Sequence, residues 1–176
     1  VNLDRLRETA RQLSDEQLVE ALYRDQVTGL LNRRAFGQSR SQMLAVLDLD
    51  SLKWVNDNHG HGAGDALLQA LAREIVAAFG AHRCYRLGGD EFAVRADSAL
   101  DLLRVLRAVR LRFPGFSFGI GRDLPAADEA LRFEKAQRER VGLRAARGQR
   151  PTMLCAAVSL QLVDERSHDP RDHSLS

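Results

Sequence analysis

The sequence predicts an α+β fold, a βαββαβ core whose central antiparallel sheet is flanked by helices. Three observations predict it. Met43-Leu44-Ala45-Val46-Leu47 is a continuous apolar run, as expected of a central strand buried on both faces. Two further apolar runs, Cys84-Tyr85-Arg86-Leu87 and Phe92-Ala93-Val94, flank Gly88-Gly89-Asp90-Glu91. A Gly-Gly pair tolerates the positive φ angles of a two-residue hairpin turn, so this stretch reads as strand, tight turn, strand. Segments of helical periodicity separate these runs and a later strand.

Taken in order, the chain begins with a helical lead-in over residues 1 to 24. Leu3, Leu6, Ala10 and Leu13 share one helical face, and Ser14-Asp15-Glu16-Gln17 reads as a capping box that starts a fresh helix running to about Tyr23. Residues 25 to 163 then form one domain. Asn32 to Gln42 is expected to be helical and to feed the strand at 43 to 49. Residues 64 to 79 form an amphipathic helix with Leu67, Leu68, Leu71, Ile75, Val76 and Phe79 inward. After the hairpin, a helix over about 98 to 111 carries Leu102, Leu103, Leu106 and Val109, and Pro114-Gly115 punctuates the start of a strand at 116 to 120. A strand-like run from Met153 to Val163 precedes a polar tail, 164 to 176, expected to be disordered.

Strand, helix, hairpin, helix, strand is the order of ferredoxin-like folds. In that topology the first strand runs beside the second strand of the hairpin. Asp48 is thereby expected close to Asp90 and Glu91, with the carboxylates converging on one sheet edge. Asp48 and Asp50, at i and i+2, point to the same side of their strand. Oxygen ligands of this kind suit Mg²⁺ or Mn²⁺ rather than zinc. His59 and His61 lack a third nitrogen or sulfur ligand nearby, which argues against a zinc site. Plain alternatives stand beside these readings: a solvated polar turn for the acidic hairpin, and an N-cap for Asp65. A solvated helix face is the alternative for Arg132, Arg138, Arg144, Arg147 and Arg150.

Composition sets bounds. A chain of 176 residues is one domain's worth, and a net charge of +2 does not advertise a nucleic-acid binder. Cys84 and Cys155 lie in apolar runs outside any C-x-x-C pattern, which suggests buried free thiols in a reducing cytoplasm. No apolar stretch is long enough to cross a bilayer, and no signal peptide is visible.

Four blocks, in order, resemble the GGDEF family of diguanylate cyclases, which condense two GTP molecules into cyclic di-GMP with release of pyrophosphate. They are Asp25-Gln26-Val27-Thr28-Gly29-Leu30-Leu31-Asn32-Arg33-Arg34, the stretch from Asp48 to Asp65, the stretch from Arg86 to Phe92, and Phe116-Ser117-Phe118-Gly119-Ile120-Gly121. The match spans about residues 25 to 121 and continues more weakly to about 140. The resemblance implies a palm-type nucleotidyl cyclase fold and two Mg²⁺ (or Mn²⁺) ions per active site. Asp48, the backbone carbonyl of Leu49 and Asp90 would be metal ligands, with Glu91 binding metal or deprotonating the attacking 3′-hydroxyl. Asn56 and Asp65 match the guanine-reading pair, since a carboxylate suits the two donors N1–H and N2–H₂. Lys53, the amides of Ser51 and Leu52, and Lys135 would face the triphosphate. Arg86 would pair with a carboxylate beneath the hairpin or assist catalysis. Catalysis would require a homodimer, because each protomer holds one GTP.

The chain also departs from the family pattern. Ser51 replaces a residue that is usually aromatic or aliphatic. After Lys135 the family usually has a glycine followed by an arginine, where this chain has Arg138, Glu139 and Arg140. A carboxylate facing the triphosphate is unfavourable, so Arg138 or Arg140 substitutes or phosphate binding is weaker. A non-catalytic GTP-binding signalling module is the alternative function. The inhibitory Arg-x-x-Asp motif of many relatives is replaced by Phe79 and His82, so no inhibitory product site is expected there.

Overall fold

The computed structural model describes residues 3–144. The sheet has the order β1-β3-β4-β2-β5, with β1 Leu31–Asn32, β2 Met43–Leu49, β3 Cys84–Gly88, β4 Glu91–Ala96 and β5 Phe116–Gly121. The central strand β2 pairs antiparallel with both β4 and β5. It therefore runs beside the second strand of the β3–β4 hairpin, as the sequence predicts. Six of its seven residues are buried, which explains the uninterrupted apolar run. Side chains alternate along it: Ala45, Leu47 and Leu49 join one core cluster, Leu44 and Val46 the other.

Helices α5 (His61–Phe79) and α6 (Ala99–Arg112) supply Leu71, Ile75, Leu102, Leu106 and Val109 to the first cluster. The second cluster is covered by α3 (Arg33–Gln38), through Phe36, and by α7 (Leu124–Arg140), through Ala127 and Leu131. α7 also guards the exposed side of the edge strand β5. Glu134 accepts a hydrogen bond from the Phe118 amide at 3.0 Å, and Arg110 pairs with Glu134 at 2.7 Å while covering the Phe118 ring.

Several expectations change. β1 is a two-residue strand parallel to β3, so the sheet is mixed rather than wholly antiparallel, and too short a segment carries no period to read. The expected helix over 32 to 42 is confined to α3, where the Asn32 side chain accepts from the Ala35 amide as an N-cap. Helix α4, Leu52–His59, was not expected: only Leu52 and Val55 are buried, too few for an apolar stripe. α5 starts at His61 rather than residue 64, and Gly60 (φ +81) forms the corner between α4 and α5. The hairpin loop is Gly89-Asp90 rather than Gly88-Gly89, because Gly88 pairs with Glu91 after a register shift. In the lead-in, α1 (Leu3–Arg11) leaves Leu3 and Ala10 exposed, whereas α2 (Asp15–Tyr23) carries the predicted reciprocal Ser14/Gln17 capping box. The strand-like run to Val163, the tail, Cys155, Arg147 and Arg150 lie outside the described residues.

The α7–β5 contact is close enough to forbid a side chain. A Cβ on Gly119 would sit 2.1 Å from the Leu131 amide nitrogen and 2.2 Å from the Ala127 carbonyl oxygen, both backbone atoms that cannot yield locally. Gly119→Ala is expected to cost about 3 kcal/mol or more, measured by urea unfolding.

Candidate functional site

The β2–β4 register sets Asp48 directly opposite Glu91, and the Leu49 amide donates to the Asp90 carbonyl at 2.9 Å. The three predicted carboxylates therefore do come together. They meet at the end of the two central strands, not on a lateral sheet edge; the edges are β1 and β5. Burial pushes the Asp48 carboxyl above its ordinary value, and the neighbouring Asp90 charge adds to this, against the opposing pull of Lys135 and Arg144. Lys135 Nζ lies 2.7 Å from Asp48 Oδ2, and Arg144 Nη2 lies 3.7 Å from Oδ1. Glu91 is half exposed and is approached by Arg33 Nη2 at 3.5 Å, while Arg33 Nε donates to the Leu87 carbonyl at 2.7 Å.

Among the described residues no three His, Cys, Asp or Glu side chains gather tightly enough to form a ready-made metal cage. Mg²⁺ does not need one. It binds one or two carboxylates and completes its shell with water and substrate phosphate. Asp48 and Asp90, close enough to repel each other, fit as such oxygen ligands. Asp50 serves differently. Its buried carboxylate accepts from Ser117 Oγ at 3.1 Å, Arg138 Nη2 at 3.2 Å and Arg144 Nε at 2.7 Å.

Next to the carboxylates the chain turns sharply. Ser51 takes a left-handed conformation (φ +66) as the N-cap of α4, without a side-chain cap bond. The first helical bond runs from the Val55 amide to the Ser51 carbonyl, so the amides of Leu52, Lys53 and Trp54 have no carbonyl within α4. A sharp turn with free amides of this kind is a concavity that suits an anion. Lys53, expected at the triphosphate, pairs with Asp57 on the helix surface at 2.7 Å.

Asn56 carries the most telling single atom. Its Oδ1 is buried without a hydrogen-bond partner, an arrangement that costs free energy unless a ligand supplies the donor. The Asn56 side chain packs into the space that Gly64 leaves, where a Cβ would lie 1.9 Å from that oxygen. Asp65 is the next residue along α5. It lies inside the helix, whose N-cap is Gly60, so the capping alternative for Asp65 fails. Its carboxylate has no partner among the described residues.

Beneath the hairpin, Arg86 Nη1 contacts both carboxylate oxygens of Asp25 at 2.9 and 3.1 Å and Arg86 Nη2 donates to the Gly89 carbonyl at 2.8 Å. Burial alone would raise the Asp25 carboxyl, but hydrogen bonds from Arg86 and Thr28 outweigh it and hold it below its ordinary value. Arg86 is thus a structural tie between the entry motif and the acidic turn. Of the arginines read as a solvated face, Arg138 is buried and Arg144, beyond the end of α7, sits against Asp48 and Asp50; the sequence offers no signal for this, since the Asp50 that both meet lies 88 and 94 residues away. Glu139 is neutralised by a close ion pair with Arg144. Phe79 packs against the core and His82 is exposed. His59 stacks edge-on against Trp54. Cys84 is buried and free, its thiol pushed up to about 12.

The family model described as "Diguanylate cyclase, GGDEF domain" matches residues 22–110. The chain is similar to diguanylate cyclase DgcN of Escherichia coli, 38% identical over 96 residues that cover 47% of this chain and 23% of that protein. It is also similar to cyclic di-GMP phosphodiesterase PdeB of Shewanella oneidensis, 40% identical over 95 residues that cover 49% of this chain and 11% of the relative. The chain thus spans well under a third of either relative. Among solved structures, a sensory box/GGDEF family protein from Caulobacter crescentus superposes with a TM-score of 0.52 at 30% identity, covering 65% of this chain and 99% of that one. Among the described residues, no helix is long and apolar enough to cross a membrane.

The Asp25–Arg86 tie has a pH signature. Because the folded carboxyl is held below its ordinary value, its contribution is fully present above that value and is lost as pH falls through the lowered one. Asp25→Asn is expected to cost about 1–3 kcal/mol at neutral pH. Thermal unfolding from pH 7 down to pH 3 should show the difference from wild type shrinking at the acid end.

Proposed function

The chain belongs to the GGDEF family of diguanylate cyclase domains, and on that footing we propose that it condenses two GTP molecules into cyclic di-GMP. The observation that carries this reading is the placement of Asp48 opposite Glu91, with Asp90 alongside, at the end of two buried strands. Such a cluster of like charges is unfavourable unless positive charge meets it.

Asn56 and Asp65 would read guanine: the carboxylate accepts from N1–H and N2–H₂, and the orphaned Asn56 oxygen and its amide supply the remaining hydrogen bonding. The amides after Ser51 would hold phosphate oxygens together with Lys135, and with Lys53 once it leaves Asp57. Asp48, Asp90, Glu91 and the Leu49 carbonyl would hold Mg²⁺ (or Mn²⁺), which when bound polarises the α-phosphate and acidifies the 3′-hydroxyl. Glu91 would take the 3′-hydroxyl proton, with Arg33 orienting its carboxylate. The 3′-oxygen of one GTP then bonds to the α-phosphorus of the other, and the α–β phosphoanhydride bond breaks to release pyrophosphate. Two such transfers close the ring. One GTP per protomer makes a homodimer the working form. The second reading, a GTP-binding module without turnover, is favoured by one observation: Lys135 and Arg144 already rest on Asp48 and must give it up before a metal ion binds.

Incubation with GTP and Mg²⁺, with products identified by mass spectrometry, separates the two readings. Asp48→Asn, Asp90→Asn and Glu91→Gln are each expected to lower turnover by about 10²-fold or more with circular dichroism unchanged. Near-normal turnover in either hairpin variant means that the assigned carboxylate site is wrong. Asp65→Ser removes the acceptor for guanine's two donors and is expected to relax discrimination against ATP by about 1–3 kcal/mol. Unchanged selectivity in a GTP/ATP competition assay would remove Asp65 from base recognition.

A further inference from the structure

Helix α7 continues through Arg138, Glu139 and Arg140, past the point where the resemblance expects a glycine and an arginine. The chain then reverses. Gly142 has φ +70, the Gly142 amide donates to the Glu139 carbonyl at 3.1 Å, and the Leu143 amide donates to the Arg138 carbonyl at 2.8 Å. This helix-ending turn carries Arg144 back over the carboxylate end of the sheet. Its side chain is only 12% exposed although the three residues before it are exposed.

We infer that Arg144 is a triphosphate-binding residue, supplied by the turn after α7 in place of the arginine missing at position 139. The inference rests on the GTP-binding reading above. Three cations surround Asp48 and Asp50, and they are not equivalent. Arg138 is committed: buried, it donates to Asp50, to the Pro114 carbonyl and to the Leu143 carbonyl. Lys135 rests on Asp48 Oδ2. Arg144 is held on two sides, its Nε on Asp50 and its Nη1 on Glu139. Its Nη2, 3.7 Å from Asp48 Oδ1, makes an ion pair but no hydrogen bond. The guanidinium is therefore oriented by two carboxylates that take no part in the chemistry, with unused N–H groups on the side of the one that does. Once Asp48 is taken by a metal–nucleotide, Lys135 and Arg144 lose its charge and gain the polyphosphate, to which a guanidinium donates in a matched fork. Arg144 also neutralises Glu139, the carboxylate that would otherwise oppose phosphate.

The test is calorimetric titration of wild type, Arg144→Ala and Arg144→Lys with α,β-methylene-GTP and with GMP, both in Mg²⁺. Arg144→Ala is expected to weaken the triphosphate analogue roughly tenfold or more and GMP by less than about twofold, with Arg144→Lys intermediate. Equal weakening of both ligands together with a lowered Tm would make Arg144 structural and overturn the inference. Unchanged or tighter analogue binding would make it only a counter-ion to Asp48 and overturn it likewise. Adding Glu139→Gln to Arg144→Ala tests for indirect repulsion: wild-type affinity in the double variant overturns direct phosphate contact, and persistent weakening supports it. Wild-type protein that binds neither nucleotide refutes the GTP-binding reading itself, whereas binding that ignores Arg144 refutes only this inference.

Discussion

The register of β2 against β4 is the constraint on which the rest of the molecule depends. β2 is buried on both faces and paired on both sides, so its alignment cannot slip by one residue without turning every side chain to the opposite layer. Ala45, Leu47 and Leu49 must meet α5 and α6, while Leu44 and Val46 must meet α3 and α7. Apolar packing thereby fixes the position of Asp48, and the same pairing carries it to Glu91. The chemistry borrows its precision from the core rather than from contacts among the acids, which repel one another.

The price of that arrangement appears as a ring of arginine and lysine. Asp25 is tied by Arg86, Asp48 is covered by Lys135 and Arg144, Asp50 is held by Arg138 and Arg144, and Glu91 is approached by Arg33. A buried ion pair adds little net stability, but removing one partner leaves an uncompensated charge. These links differ in function. Asp25–Arg86 and Asp50–Arg138 are framework, clamped by additional backbone bonds. The contacts to Asp48 come from Lys135 and Arg144, the two cations proposed to exchange it for nucleotide phosphates.

The α4 end of the site follows the same logic with backbone in place of charge. The left-handed Ser51 and the Gly60 corner bracket a short helix α4, which leaves its first amides turned outward and presses Asn56 against Gly64. A left-handed non-glycine residue stores strain, and the buried Asn56 oxygen stores an unmade hydrogen bond. Both lie where the substrate's phosphates and base are proposed to bind, and a donor from the base would supply the hydrogen bond that Asn56 lacks.

By itself the sequence determined the elements whose signal is local or periodic: the β2 run, the amphipathic α5 and α6, the Ser14 capping box and the acidic hairpin. It also determined the carboxylates, because the strand order of such a fold brings Asp48 to Asp90 and Glu91. Helix α4 was not legible, since two buried residues in eight make no stripe, and the two residues of β1 carry no period. Arg86 was expected to meet a carboxylate beneath the hairpin, but only the tertiary structure decided where the other site arginines go. Arg33, Arg138 and Arg144 find carboxylates 58, 88 and 94 residues away, and a guanidinium on a long flexible stem can reach any acid the fold brings near. Periodicity places a residue on a face; which charge that face meets depends on elements that pack there only after the chain has folded.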